Sequence, residues 1–93
     1  MKTIHHNIRI RGKVQGVGFR ETTKYVADQS GIKGFVRNEA DGSVYIEAEG
    51  EPWELEAFLE WCNDGPDRAK VEACEVTEGT ILKAFKDFVI LKK

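Results

Sequence analysis

Residues 12–20, Gly12-Lys13-Val14-Gln15-Gly16-Val17-Gly18-Phe19-Arg20, hold the elements of an anion site. An alternating segment runs into a glycine loop, and the loop into a helical segment. Such a loop can turn successive backbone N–H groups toward one point. The start of the following helix adds partial positive charge there. Arg20 adds a full charge on a planar fork that matches phosphate oxygens. A plain tight turn with Arg20 as a surface cation is the other reading of the same spacing. The loop lacks the Gly-Lys-Ser/Thr of a Walker loop, and its glycines miss the dinucleotide-binding spacing.

Residues 34–44, from Gly34 to Val44, form the second such stretch. Asn38 shares strand parity with Ile32 and Val36, so it faces the buried side at the end of its strand. An amide there needs hydrogen-bond partners. It either caps the adjoining turn, a common use of asparagine, or serves chemistry. Lys33-Gly34-Phe35-Val36 is similar to part of the RNP1 element, but Arg37-Asn38 lacks the aromatic needed to stack a base. A sheet face with Arg9, Phe35 and Tyr45 keeps a single-strand-binding alternative open.

Strong patterning surrounds both stretches. Ile4, His6, Ile8, Ile10 and Val14 alternate with His5, Asn7, Arg9, Arg11 and Lys13, which predicts a half-buried first strand with a basic outer face. Gln15 to Arg20 reads as loop and Glu21 to Ser30 as a helix, with Tyr25, Val26 and Ala27 as its main contacts. Ile32–Asn38 and Ser43–Glu49 read as a hairpin around Glu39-Ala40-Asp41-Gly42. Val36, Val44, Ile46 and Ala48 face inward. Pro52 opens a second helix, where Leu55, Phe58, Leu59 and Cys62 make a core stripe. Val71–Val76 is a fourth strand with a bulge near Glu72-Ala73, because Val71 and Val76 differ in parity. After a turn at Glu78-Gly79, Phe85–Leu91 is the last strand. This order predicts an α+β, ferredoxin-like split βαβ sandwich: an antiparallel sheet of four to five strands with both helices on one face.

The whole chain constrains the reading further. Its 93 residues, 41% hydrophobic and 32% charged, suit one globular domain over residues 1–93. A net charge of -2 disfavours a nucleic-acid partner. The sequence shows no signal-peptide run and no stretch of membrane-spanning length. Cys62 and Cys74 are too few for a disulfide scaffold and read as free thiols in a reducing, cytoplasmic compartment. The adjacent His5 and His6 point to opposite sides of a strand and make no metal site.

Together the two stretches resemble the acylphosphatase family. Ile10-Arg11-Gly12-Lys13-Val14-Gln15-Gly16-Val17-Gly18-Phe19-Arg20 looks like its first signature in full. Gly34-Phe35-Val36-Arg37-Asn38, with Gly42, Val44 and Gly50, looks like its second. Gly65-Pro66, Ala69 and Val71 also fall where the family has them. Cys74 stands where an aliphatic core residue is expected. The resemblance implies a small monomeric hydrolase that cleaves acyl phosphates to carboxylate and phosphate by direct water attack, without metal or cofactor. It gives phosphate binding to Arg20 and to the backbone N–H groups of Gln15, Gly16, Val17, Gly18, Phe19 and Arg20. Positioning of the attacking water falls to Asn38. Inorganic phosphate is then both product and inhibitor. The competing class is a non-catalytic ferredoxin-like module that binds a small anion or an RNA.

Overall fold

A computed structural model of the chain describes residues 2–92. The elements run β1 (Ile4–Lys13), α1 (Phe19–Ser30), β2 (Lys33–Asn38), β3 (Val44–Gly50), α2 (Pro52–Asp64), β4 (Lys70–Gly79) and β5 (Phe88–Ile90). The strands lie in the order β4-β1-β3-β2-β5. This is the expected split βαβ arrangement, with β3 between the two strands that α1 connects.

The core lies between one sheet face and the two helices. Ile8, Ile10, Val36, Val44, Ile46 and Ala48 line its sheet side, and the parity read from the sequence holds for all of them. Leu55, Phe58 and Cys62 of α2 are buried against them, with Leu59 partly covered. The edge of the Phe88 ring meets Phe58 at 6.2 Å between centroids, which ties β5 into the same core. The bulge also falls as expected. Arg11 pairs with Ala73 and Gly12 with Val71, so Glu72 is the extra residue.

Three expectations are corrected. First, α1 begins at Phe19 rather than Glu21, so Phe19 and Arg20 form its first turn. Its buried side is Phe19, Thr23 and Ala27, whereas Tyr25 is 65% exposed. These three residues keep the i, i+4, i+8 spacing of one helix face. Thr23 fits there because its hydroxyl donates to Phe19 O at 2.7 Å. Second, β4 continues to Gly79, where a turn was expected, and the last strand shrinks to Phe88–Ile90.

Third, the sheet is mixed, because β5 pairs parallel to β2. β4 ends beside the start of β1, which is also the end where β2 begins. The connection 80–87 must cross from one sheet edge to the other, about 19 Å over four strand spacings. Its reach is about 26 Å at ~3.3 Å per residue. That is enough to cross directly. The chain enters β5 at the end where β2 starts and runs parallel to it.

This connection is strapped over the outer sheet face by buried carboxylates. Glu49, 4% exposed, accepts hydrogen bonds from Lys83 N–H at 2.6 Å and Phe85 N–H at 3.3 Å. Its other contact is His5 Nδ1 at 2.7 Å. Glu47 accepts from Lys83 Nζ at 2.7 Å and from the Tyr45 hydroxyl at 2.8 Å. The outer face thus carries carboxylates as well as the expected basic residues and is not open throughout, since His5 is only 2% exposed beneath Phe85. Burial alone would raise both carboxyl pKa values. For Glu49 the Lys83 amide and His5 outweigh it; for Glu47 the Lys83 ammonium and the Tyr45 hydroxyl do, and both values are lowered.

Depressed carboxyl pKa values give stability that is present above the unfolded value of 4.5 and lost as pH falls through the folded one. The thermal midpoint is therefore expected to drop as the pH is lowered from 4.5. Glu49→Gln should melt lower than wild type at neutral pH and show a flatter curve in acid. Midpoints that fall in parallel for both proteins would show that Glu49 does not carry the acid sensitivity.

Candidate active site

The candidate site lies at the other end of the sheet, where β1 and β2 finish. Ile10 of β1 and Asn38 of β2 both pair with Val44 of β3; β2 ends on that row, while β1 leaves β3 there and runs on along β4 to Lys13. Past β1, the loop turns up into the first turn of α1.

Local backbone conformation shapes this loop. Gly16 and Gly18 adopt φ of 74° and 78°. An added Cβ at either glycine would meet nothing within 4 Å, so conformation rather than space demands glycine there. Between them Val17 packs into the core and pins the loop. Among the described residues, none of the backbone N–H groups from Gln15 to Arg20 donates to a protein acceptor. The first bond of α1 is Thr22 N–H to Gly18 O at 3.1 Å. The Phe19 and Arg20 amides are therefore first-turn donors with no intrahelical partner, where the helix dipole is positive.

Arg20 is partly buried at the start of α1. Arg9, Arg11, Lys24, Arg37 and Lys83 all pair with carboxylates. Among the described residues, the Arg20 guanidinium makes no ion pair or hydrogen bond. Arg20 is the second residue of α1, directly after the loop.

Asn38 is half-buried and faces the helix side, as its parity predicted. Its side chain makes no hydrogen bond among the described residues, so it does not cap the turn. Other groups close that turn. Asp41 Oδ1 accepts from the Ser43 hydroxyl at 2.5 Å and from Ser43 N–H at 2.9 Å. These bonds, the hydroxyl's first, bring the Asp41 pKa down to about 2. Gln15 Nε2 donates to Glu39 O at 2.8 Å and Ser43 O at 2.9 Å. Sequence reasoning placed Gln15 in the site for its backbone N–H and missed this side-chain bridge.

Beside Asn38, the Glu39 carboxylate accepts from Arg37 Nε at 2.6 Å and lies 3.5 Å from Arg9 Nη1. The Arg37 hydrogen bond holds its pKa below the usual carboxylate value. The negative charge of Glu39, next to Asn38, is thus paired with arginines of the outer face.

The outer face does not favour base stacking. The Arg9 and Arg37 guanidinium groups each sit 5.0 Å from the Tyr45 ring centroid. Phe35 packs on Tyr45 and takes Phe85 edge-on. These aromatic surfaces are already engaged. Cys62 is buried and Cys74 partly buried, both as free thiols, and burial pushes the Cys62 pKa well up. Among the described residues, no three His, Cys, Asp or Glu side chains are grouped to hold a metal.

Known proteins match over nearly the whole chain. The sequence model described as Acylphosphatase matches residues 6–90. The acylphosphatase of Marinobacter nauticus is 45% identical over 82 residues, covering 88% of this chain and 89% of the relative. That of Methylococcus capsulatus is 37% identical over 92 residues, covering 99% and 98%. The crystal structure of the Bacillus subtilis acylphosphatase superposes with a TM-score of 0.92 at 38% identity, covering 95% of this chain and 98% of that one.

Proposed function

We infer the working parts of the site from one premise: this chain belongs to the acylphosphatase family and hydrolyses acyl phosphates to a carboxylate and phosphate. In our reading Arg20 and the backbone N–H groups of residues 15–20 hold the phosphoryl group, and Asn38 aligns the attacking water. The observation that carries this reading is the pairing of unsatisfied groups. Among the described residues, Arg20 has no counter-ion and follows a loop whose N–H donors have no protein acceptor, at the sheet end that also presents an Asn38 amide without a partner.

These parts suffice for the chemistry. The leaving carboxylate has a conjugate acid of pKa about 4, so its departure needs no general acid at neutral pH. A loose, metaphosphate-like transition state asks little of the nucleophile. What remains is to spread charge over the equatorial oxygens and to align one water. The Arg20 fork and the loop amides supply the first. Asn38 supplies the second, because its carbonyl accepts from water while its NH₂ donates. No step calls for a nucleophilic side chain, a metal or a cofactor.

We take the protein to act as a single domain and a monomer in the cytoplasm, on a small-molecule acyl phosphate, with no nucleic-acid or membrane partner. The free thiols and acidic pI of 5.7 support that setting. No described helix is long and apolar enough to cross a membrane. Inorganic phosphate should inhibit competitively, since it fits the same cradle.

Turnover of acetyl phosphate in excess EDTA tests the reading. Full activity is expected, with p-nitrophenyl phosphate, a monoester with a poorer leaving group, cleaved far more slowly. Activity that vanishes with EDTA and returns with a divalent cation would overturn the metal-free mechanism.

A further inference from the structure

We propose that Gln15 is a positioning residue for the hydrolysis and that it acts through Asn38. This rests on the assignment of Asn38 made above and deepens it. The phosphate loop follows β1, while Asn38 ends β2, and β3 lies between them. The two halves of the site therefore stand about 10 Å apart in the sheet. A small error in their relative placement misdirects the water, and a 1 Å displacement can cost about a hundredfold in rate.

Gln15 spans this gap from within the loop. Both of its amide hydrogens are used, one on Glu39 O at 2.8 Å and one on Ser43 O at 2.9 Å. These carbonyls bracket the turn and also close it. Glu39 O accepts from Gly42 N–H at 3.1 Å, and Ser43 O accepts from Glu39 N–H at 2.9 Å. Glu39 directly follows Asn38, so the bridge fixes the backbone from which the Asn38 amide projects. Arg9 and Arg11 grip the same turn from the strand, through Ser43 and Asp41. Those arginines can preserve the hairpin while leaving its distance from the loop unset. Among the described residues, the Gln15 bonds are the side-chain hydrogen bonds that join loop residues 14–18 to the turn.

A double-mutant cycle tests this. Gln15→Ala, Asn38→Ala and the double variant are assayed with acetyl phosphate, alongside thermal midpoints and phosphate inhibition constants. Gln15→Ala should lower kcat roughly tenfold and leave the phosphate inhibition constant within about threefold. In the Asn38→Ala background the same change should lower kcat by less than about threefold, because no aligned water remains to misplace. Losses that multiply would overturn the proposal. So would an unchanged kcat, or phosphate inhibition that weakens as much as kcat falls. A residue that merely stabilises the fold would lower the midpoint without this non-additivity. If Gln15→Ala does not fold, Gln15→Met keeps the bulk, removes the donors and enters the same cycle. Failure of the Asn38 assignment itself would appear separately, as Asn38→Ala alone retaining its kcat.

Discussion

Arg20→Lys is expected to lower kcat/KM by roughly a hundredfold to a thousandfold, the usual size of a lost charge-stabilising contact. The variant keeps its positive charge, so a large loss isolates the geometry of the fork. A guanidinium offers two parallel N–H donors to two phosphate oxygens, whereas an ammonium is a point charge on a flexible stem. Phosphate inhibition should weaken as well, because ground state and product use the same contacts. Stability should hardly change, since Arg20 has no ion pair or hydrogen bond to lose among the described residues, and the helix is started by Gly18 O and Thr22 N–H. Circular dichroism and the thermal midpoint check that point. Near-normal kinetics would remove Arg20 from the site.

Asn38→Ala should separate binding from chemistry. We expect kcat to fall roughly a hundredfold, about 2.7 kcal/mol of transition-state stabilisation, with phosphate inhibition almost unchanged. The structure sharpens the contrast with a capping role. A cap would place hydrogen bonds on the Asn38 side chain, yet Asp41 and Gln15 make the side-chain bonds that close the turn. Truncation should therefore cost little stability. A variant that melts several degrees lower but keeps its kcat would make Asn38 structural and leave the water without a guide.

Much of this was legible in the sequence because it depends on local pattern. Alternation in β1, β2 and β3 gave the buried faces, and the mismatch in parity between Val71 and Val76 gave the bulge at Glu72. The stripe in α2 was readable because its core positions are apolar. The contact face of α1 was not. Its residues include a threonine that satisfies its own hydroxyl, and a Phe19 that looked like loop because a left-handed glycine precedes it. The parallel β5 was hidden for another reason. Strand direction follows from where the 80–87 connection crosses, and that depends on the buried Glu47 and Glu49, whose contacts with residues 83 and 85 no local pattern announces. At the candidate site, residue types and spacing left Arg20 and Asn38 each between two readings, and it was the resemblance to the family that implied their roles. The Gln15 bridge escaped because its acceptors are backbone carbonyls, which carry no residue type to read.

Hydrolysis of acetyl phosphate in ¹⁸O-labelled water tests the central claim most directly. A cradle of N–H donors with an arginine could in principle polarise a carbonyl oxygen instead of holding a phosphoryl group, and the two roles put the water on different atoms. If Arg20 and the loop grip phosphate while Asn38 aims water at phosphorus, the label enters inorganic phosphate and the acetate stays unlabelled. Label recovered in the acetate would mean attack at the carbonyl carbon and would contradict the account.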